Sequence, residues 1–303
     1  MSSIVAVGSL AFDSIETPFG KAGKILGGSA NHFSLSASYF TPVKCISVVG
    51  EDFPKEHLDF LRSRQIDLEG VTVSPGRTFH WSGRYGYDLH EATTLDTQLN
   101  VFEHFSPKVP SSYQNTDFLF LGNILPALQE KVLSDLPKSK FVALDTMNFW
   151  IESQKEALIK VLSKVNCLII NEAELRQLTK THNVVKAGQM VRQWGPQLVV
   201  IKRGEYGALL FNQEEAFSLP GLPLTEVKDP TGAGDSFAGG FLGYLASQGK
   251  TSPDRSALRQ AVVYGSVMAS FIVEDFGCNQ LLKISKGQID ERFKQFRELT
   301  TFH

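Results

Sequence analysis

DPTGAGDSFAGG, from Asp229 to Gly240, carries more information than any other stretch of the chain. Pro230 and the glycines at 232 and 234 predict a turn, and the residues after it predict a helix. Phe237, Phe241, Tyr244 and Leu245 recur at i, i+4, i+7 and i+8, which gives that helix one apolar face. Gly232, Ala233 and Gly234 leave backbone N–H groups bare at the helix start, at the positive end of the macrodipole. Such a terminus receives an anion. Asp235 sits inside the same turn, where a carboxylate repels that anion. The placement makes chemical sense when the aspartate takes a proton from a nucleophile attacking a phosphoryl group. The plain alternative is a loop whose first-turn aspartate favours the dipole. Gly239, Gly240 and Gly243 each cost about 1 kcal/mol relative to Ala inside a helix, so they predict close approach of a neighbouring element.

The chain has 303 residues, enough for two domains or one large α/β domain. It is 42% hydrophobic and 20% charged, with a formal net charge of −2. That balance provides no basic field for nucleic acid or an anionic membrane. Cys45, Cys167 and Cys278 are far apart and belong to no CxxC or Cys/His cluster. Neither a disulfide framework nor a structural zinc site is indicated, and a cytoplasmic location is expected. No apolar run reaches the ~18 residues of a membrane span. Ile4 to Leu10 reads as a buried first strand rather than a signal peptide.

Outward from the motif, short apolar runs recur at Ile4–Val7, Val43–Val49, Phe118–Leu121, Phe141–Leu144, Leu168–Ile170, Leu198–Ile201 and Ala208–Phe211. Helix-like stretches follow several of them, at Glu130–Leu136, Ser153–Val165, Glu172–Leu178 and Val185–Trp194. The alternation predicts a three-layer α/β/α fold with a mainly parallel central sheet. Ligands in such folds lie at the carboxyl ends of the strands. Two segments break the rhythm, 11–25 and 76–105. In the second, Phe79, Trp81, Tyr85 and Tyr87 share one parity, which is strand patterning with an aromatic face. The two segments are expected to pair into a small β-sheet lid, an oligomer interface, or both.

Three other constellations accompany the glycine turn. GGSAN, Gly27 to Asn31, precedes a small-residue helix, and Asn31 and Asp13 offer partners for sugar hydroxyls. By themselves Asn31 reads equally as a local cap and Asp13 as a turn residue. NEAE, Asn171 to Glu174, follows an apolar run and suits a Mg²⁺ ion carried on phosphate through water; the alternative is acidic first-turn residues that favour the dipole. IKRGEYGALL places Gly204 and Gly207 between two runs, with Lys202 or Arg203 available to a nucleotide phosphate. A simple tight turn accounts for the glycines as well. No Walker A loop is present, and the turn lacks the third glycine of a dinucleotide fingerprint.

In this order the pieces resemble the ribokinase-like (PfkB) carbohydrate kinase family. DPTGAGDSFAGG is similar to its C-terminal signature, GGSAN followed by VVGED (Val48 to Asp52) to its N-terminal one, and NEAE to its N-x-x-E motif. The resemblance runs from about Ile4 to about Phe296 and implies one kinase domain over 1–303 with lid insertions at 11–25 and 76–105. MASFIVEDFGCNQL, Met268 to Leu282, is similar to the archaeal nucleoside-kinase branch, where such a segment closes over the adenine and a nearby cation. The sequence departs from the pattern at Phe33, Thr41 and Lys55.

The resemblance implies ATP and Mg²⁺ as cofactors and a sugar or nucleoside as substrate. It implies Asp235 as the catalytic base, Gly232, Ala233 and Gly234 as the anion hole, and Asp13, Gly27, Gly28 and Asn31 as the acceptor site. Asn171, Lys202, Gly204, Gly207 and Thr231 are expected on the ATP side, with Glu174 reaching Mg²⁺ through water. Asp229 and Thr231, with backbone near Val273 and Gly277, resemble a monovalent-cation site for K⁺. A homodimer through the lid is also implied. The expected reaction is ATP-dependent phosphorylation of a hydroxyl, the primary one, on a sugar or sugar-bearing molecule. A nucleoside kinase is the alternative within the family, and a catalytically silent sensor the alternative outside it.

Overall fold

Ile4 and Ala6 belong to one buried apolar cluster, while Val5 and Val7 belong to another. A strand whose successive side chains enter two separate cores must lie in a sheet covered on both faces. The computed structural model, which describes residues 2–301, has that arrangement.

The strands in chain order are β1 (Ile4–Val7), β2 (Ala11–Thr17), β3 (Gly20–Gly27), β4 (Val43–Gly50), β5 (Ile66–Ser74), β6 (His80–Tyr85), β7 (Ala92–Gln98), β8 (Phe118–Leu121), β9 (Phe141–Asp145), β10 (Cys167–Asn171), β11 (Leu198–Lys202), β12 (Ala208–Phe211) and β13 (Ala216–Leu219). The helices are α1 (Ser29–Ala37), α2 (Lys55–Ser63), α3 (Pro126–Asp135), α4 (Asn148–Ser153), α5 (Lys155–Leu162), α6 (Glu172–Thr179), α7 (Val184–Gln193), α8 (Ala233–Ser247), α9 (Arg255–Ile272), α10 (Asn279–Lys283) and α11 (Lys286–Thr300).

Nine strands form the central sheet in the order β13-β12-β11-β10-β9-β8-β1-β4-β5. From β11 to β5 all neighbours run parallel, and β12 and β13 add an antiparallel edge. Helices α1, α8, α9 and α11 cover one face, and α3, α5, α6 and α7 cover the other. All seven apolar runs are strands of this sheet. The two they omit, β5 and β13, are the edges; each is partly exposed and lacks a continuous apolar run. The helix expected over Ser153–Val165 is α5, Lys155–Leu162, and the short α4 precedes it, the two separated at Gln154 with φ −137° and ψ 33°.

Helix α8 lies between α1 and α9. A Cβ on Gly239 would meet the Phe33 carbonyl at 2.4 Å, and one on Gly240 the Tyr264 carbonyl at 2.6 Å. The helix glycines thus do admit neighbouring backbones. Phe33, larger than the family pattern at its position, is fully buried and stacks on Phe120 with ring centroids 3.9 Å apart.

Segments 11–25 and 76–105 supply a second, four-stranded sheet in the order β3-β2-β6-β7. The chain enters it directly from the carboxyl end of β1, so the small sheet starts where the parallel strands end. Thr78 fastens its other entry: Asp52 accepts from the Thr78 N–H and hydroxyl, both at 2.7 Å. Only Trp81 and Tyr85 of the aromatic stripe lie within β6, at alternate positions. Trp81 lies over Gly83, Phe79 stacks on Phe102, and Tyr87 lies beyond β6 and is 83% exposed. The strand is only six residues long, so the alternation outruns it at both ends.

Phe33→Ala removes a fully buried, stacked ring and is expected to destabilise the protein by about 3–5 kcal/mol. Calorimetry should record a Tm several degrees lower; an unchanged Tm would mean that the α1–sheet packing is not as described.

Candidate active site

Three adjacent parallel strands each end on a polar residue: β9 on Asp145, β10 on Asn171 and β11 on Lys202. The register sets Asn171 beside Lys202. The Lys202 ammonium lies 3.1 and 3.3 Å from the two Asp145 carboxylate oxygens. Burial opposes the lysine's charge, but Asp145 first, then Glu174 and Asp235, hold its pKa above the usual lysine value. The same ammonium reaches α8, since a Cβ on Gly234 would lie 2.7 Å from Nζ. Any side chain at 234 would displace the charge from the helix start.

Gly232 caps α8 with φ 76° and ψ 0°, the left-handed conformation that glycine adopts without cost. The Ala233 N–H donates to the Pro230 carbonyl at 3.1 Å, closing the turn. This corrects the expected set of bare amides, because Ala233 is engaged. The N–H groups of Gly232, Gly234 and Asp235 have no protein acceptor among the described residues. Three unpaired donors at a helix N-terminus, beside a lysine ammonium, form a site for an anion.

Asp235 is partly buried in the first turn of α8. Burial, and then the Asp145 carboxylate, push its pKa up to about 6; His32 and Lys202 act the other way. Asp145, the residue directly after the apolar run Phe141–Leu144, is thus a member of the cluster. Glu174 and Asn171 form a reciprocal cap on α6: Asn171 Oδ1 accepts from the Glu174 N–H at 2.8 Å, and Glu174 Oε2 from the Asn171 N–H at 3.0 Å. The capping role and nearness to the cluster therefore coexist. Burial pushes the Glu174 carboxyl up to about 7, and the Lys202 charge restrains the rise.

Asp13, on β2, also bears on Asp235 through its charge. It is nearly buried, and a Cβ on Gly27 would fall 2.0 Å from its carboxylate. Gly28 caps α1 with φ 95°. Asn31 is fully buried beneath this loop; its Nδ2 donates to Cys278 Sγ at 2.9 Å, and its Oδ1 has no partner. The small sheet reaches the glycine turn through Thr231, whose hydroxyl donates to the Tyr85 hydroxyl at 3.2 Å.

Other expected residues lie apart from these contacts. Gly204 and Gly207 bound the short turn between β11 and β12, and Gly207 packs against Leu219 and Pro220 backbone. Arg203 is paired with Glu172. Asp229 is fully buried, and its two oxygens accept from the Thr231 N–H at 2.8 Å and the Gly277 N–H at 2.9 Å. The Val273 carbonyl accepts from the Lys228 and Asp229 N–H groups. Asp229 and the Val273 carbonyl, expected near a monovalent cation, thus also anchor the turn. Among the described residues no group of three or more His, Cys, Asp or Glu is gathered to hold a metal ion. Among the described residues, too, no helix is long and apolar enough to cross a membrane.

Comparison with known proteins gives the family and the fold. The pfkB family of carbohydrate kinases matches residues 1–284. The chain is 33% identical over 251 residues to the cytidine kinase of Thermococcus kodakarensis, covering 80% of this chain and 88% of that protein. The fold is that of the Burkholderia thailandensis nucleoside kinase in complex with inosine, with a TM-score of 0.78 at 18% identity over 96% of this chain and 97% of that one. It is also that of a putative ribokinase II from E. coli in complex with ATP and Mg²⁺, with a TM-score of 0.78 at 18% identity over 98% of this chain and 100% of that one. The chain belongs to the pfkB family of carbohydrate kinases, ATP-using phosphotransferases whose acceptor is an alcohol group of a sugar or sugar-bearing molecule.

Proposed function

We propose that this kinase phosphorylates the primary hydroxyl of a nucleoside, and that Asp235 is its catalytic base. The observation that carries the substrate class is the 33% identity, over most of both chains, to a protein named cytidine kinase. The site is compatible with it. Asp13 stands ready to accept from sugar hydroxyls, and the small sheet brings Tyr85 over the glycine turn beside the expected acceptor.

In this reading Asp235 takes the proton of the attacking hydroxyl as the phosphoryl group moves in line. A pKa of about 6 leaves the carboxylate ionised at neutral pH and still basic enough to accept. The free N–H groups of Gly232, Gly234 and Asp235 and the Lys202 ammonium receive the charge on the transferring group. Asp145 holds Lys202 against Gly234, where that charge is needed.

The site fits ATP with Mg²⁺. Glu174 Oε2 accepts from backbone while Oε1 has no protein donor among the described residues, and loss of solvent raises its pKa to about 7, so a nearby cation would help keep it ionised. Glu174 would hold Mg²⁺ through water; the ion supplies charge neutralisation on the phosphates when bound. Each Asp229 oxygen accepts a single N–H and keeps a lone pair that K⁺ could use, and no step is assigned to that ion. We further propose that the small sheet meets a second copy of the chain. Strand β7 is largely exposed, and Phe19, Tyr87, Leu95 and Leu99 expose apolar surface nearby.

Asp235→Asn should lower kcat by roughly 10²–10⁴-fold while calorimetric ATP binding persists. The wild-type kcat should fall as pH drops below about 6, because Asp235 then takes up a proton and ceases to be a base. Lys202→Met should lower kcat roughly 100-fold or more at saturating acceptor. Near-normal turnover in either variant contradicts its role. Across cytidine, uridine, adenosine, inosine, ribose and fructose, kcat/KM should be highest for a nucleoside; turnover of free sugars alone would refute the substrate class. Sedimentation should give a dimer that Leu95→Glu dissociates; a monomeric wild type contradicts the interface.

A further inference from the structure

His32 lies immediately after the acceptor loop, is 1% exposed, and has no place in the reaction as derived so far. Its ring is the floor of the phosphoryl-binding turn: a Cβ on Gly232 would lie 2.5 Å from the ring atoms Cγ and Nδ1. Each ring nitrogen faces an acceptor. Nδ1 is 3.4 Å from Cys278 Sγ. That sulfur accepts from Asn31 Nδ2 at 2.9 Å and lies 3.4 Å from the Leu26 carbonyl; with the thiol proton on that carbonyl, it presents a lone pair to the imidazole. Nε2 is 3.9 Å from Asp13 Oδ2 and has no hydrogen-bond partner. With a carboxylate facing Nε2 and a sulfur lone pair offered to Nδ1, the ring can carry a proton on each nitrogen.

We propose that His32 is a positioning residue of the phosphoryl-transfer site: its buried imidazolium puts a positive charge beneath the Gly232 turn and ties that turn to Asp13 on the acceptor side. The inference rests on the reading of Asp235 as base.

The charges around it agree. Asp13 faces it from β2, Cys278 from the start of α10, and Asp229 and Asp235 from the two ends of the turn before and within α8. Beyond Asp235 lie Lys202 and Asp145. Burial works against the charge, and the Asp13 carboxylate facing Nε2 acts the other way, holding the pKa above the usual histidine value. The imidazolium in turn restrains the rise in the Asp235 pKa. A cation fixed below unpaired amides strengthens them as receivers of developing negative charge, without touching the substrate.

The test is His32→Gln, which keeps a side-chain donor and removes the charge. Loss of a positive neighbour raises the Asp235 pKa, so the acid limb of the kcat–pH profile should move up by roughly one unit. At neutral pH kcat should fall about tenfold or more, with Tm near the wild-type value. An unmoved acid limb, with or without a loss of turnover, overturns the proposal. In the wild-type enzyme, ¹⁵N NMR of His32 should find both ring nitrogens protonated at pH 7.5; a neutral ring overturns it independently and decides the matter if the variant does not fold. If Asp235→Asn retains turnover, the reading of the base has failed; if Asp235→Asn is inactive and His32→Gln is unaffected, only the present inference has.

Discussion

The active site depends on a single ammonium group held in one place. Lys202 Nζ is shared between the Asp145 carboxylate and the start of α8, and Gly234 is the residue that lets it come so close. The neighbouring carboxylates of Asp145, Glu174 and Asp235, shielded from water to different degrees, would otherwise repel one another and lose their charge by binding protons. With the lysine present, Asp235 is raised only to about 6, which keeps it ionised at neutral pH. The same charge lies next to the free amides at the helix start. One cation therefore keeps the proposed base ionised and makes the helix terminus more attractive to phosphate.

The sheet makes this arrangement economical. Parallel strands deliver Asp145, Asn171 and Lys202 to one rim, so their positions follow from the ladder hydrogen bonds rather than from flexible loops. Helix α8 contributes Asp235 and the free amides from the adjacent layer. Its glycines allow α1 and α9 to pack against it and fix where it begins. The small sheet leaves β1 at the same rim and meets the turn at Tyr85 and Thr231, so acceptor and phosphate sides share one border. This is how a fold shared with many sugar kinases presents one reaction at one edge.

Much of this was legible before any coordinates. Seven apolar runs identified seven strands, and DPTGAGD identified the helix start with its aspartate, because local composition and periodicity dictate both. What was hidden depends on partners distant in sequence. The Lys202–Asp145 pair spans 57 residues, and nothing near either residue announces the other. Asn31 reads as a surface hydroxyl-binding residue, yet it is buried against Cys278, which lies 247 residues away. His32 was overlooked because its meaning comes from the turn above it. The signal available was a histidine directly abutting GGSAN in a run destined for the core. The edge strands β5 and β13 were missed because half-exposed strands have no continuous apolar run.

The central claim is that the proton acceptor and the phosphoryl receiver meet at one spot. A crystal structure of the enzyme with ADP, Mg²⁺, aluminium fluoride and the best acceptor nucleoside tests it most directly. The account predicts the fluoride ligands within hydrogen-bond distance of the Gly232 and Gly234 amides and the Lys202 ammonium, with the acceptor hydroxyl bonded to Asp235. A planar fluoride bound elsewhere, or an acceptor hydroxyl whose nearest base is another residue, would contradict it.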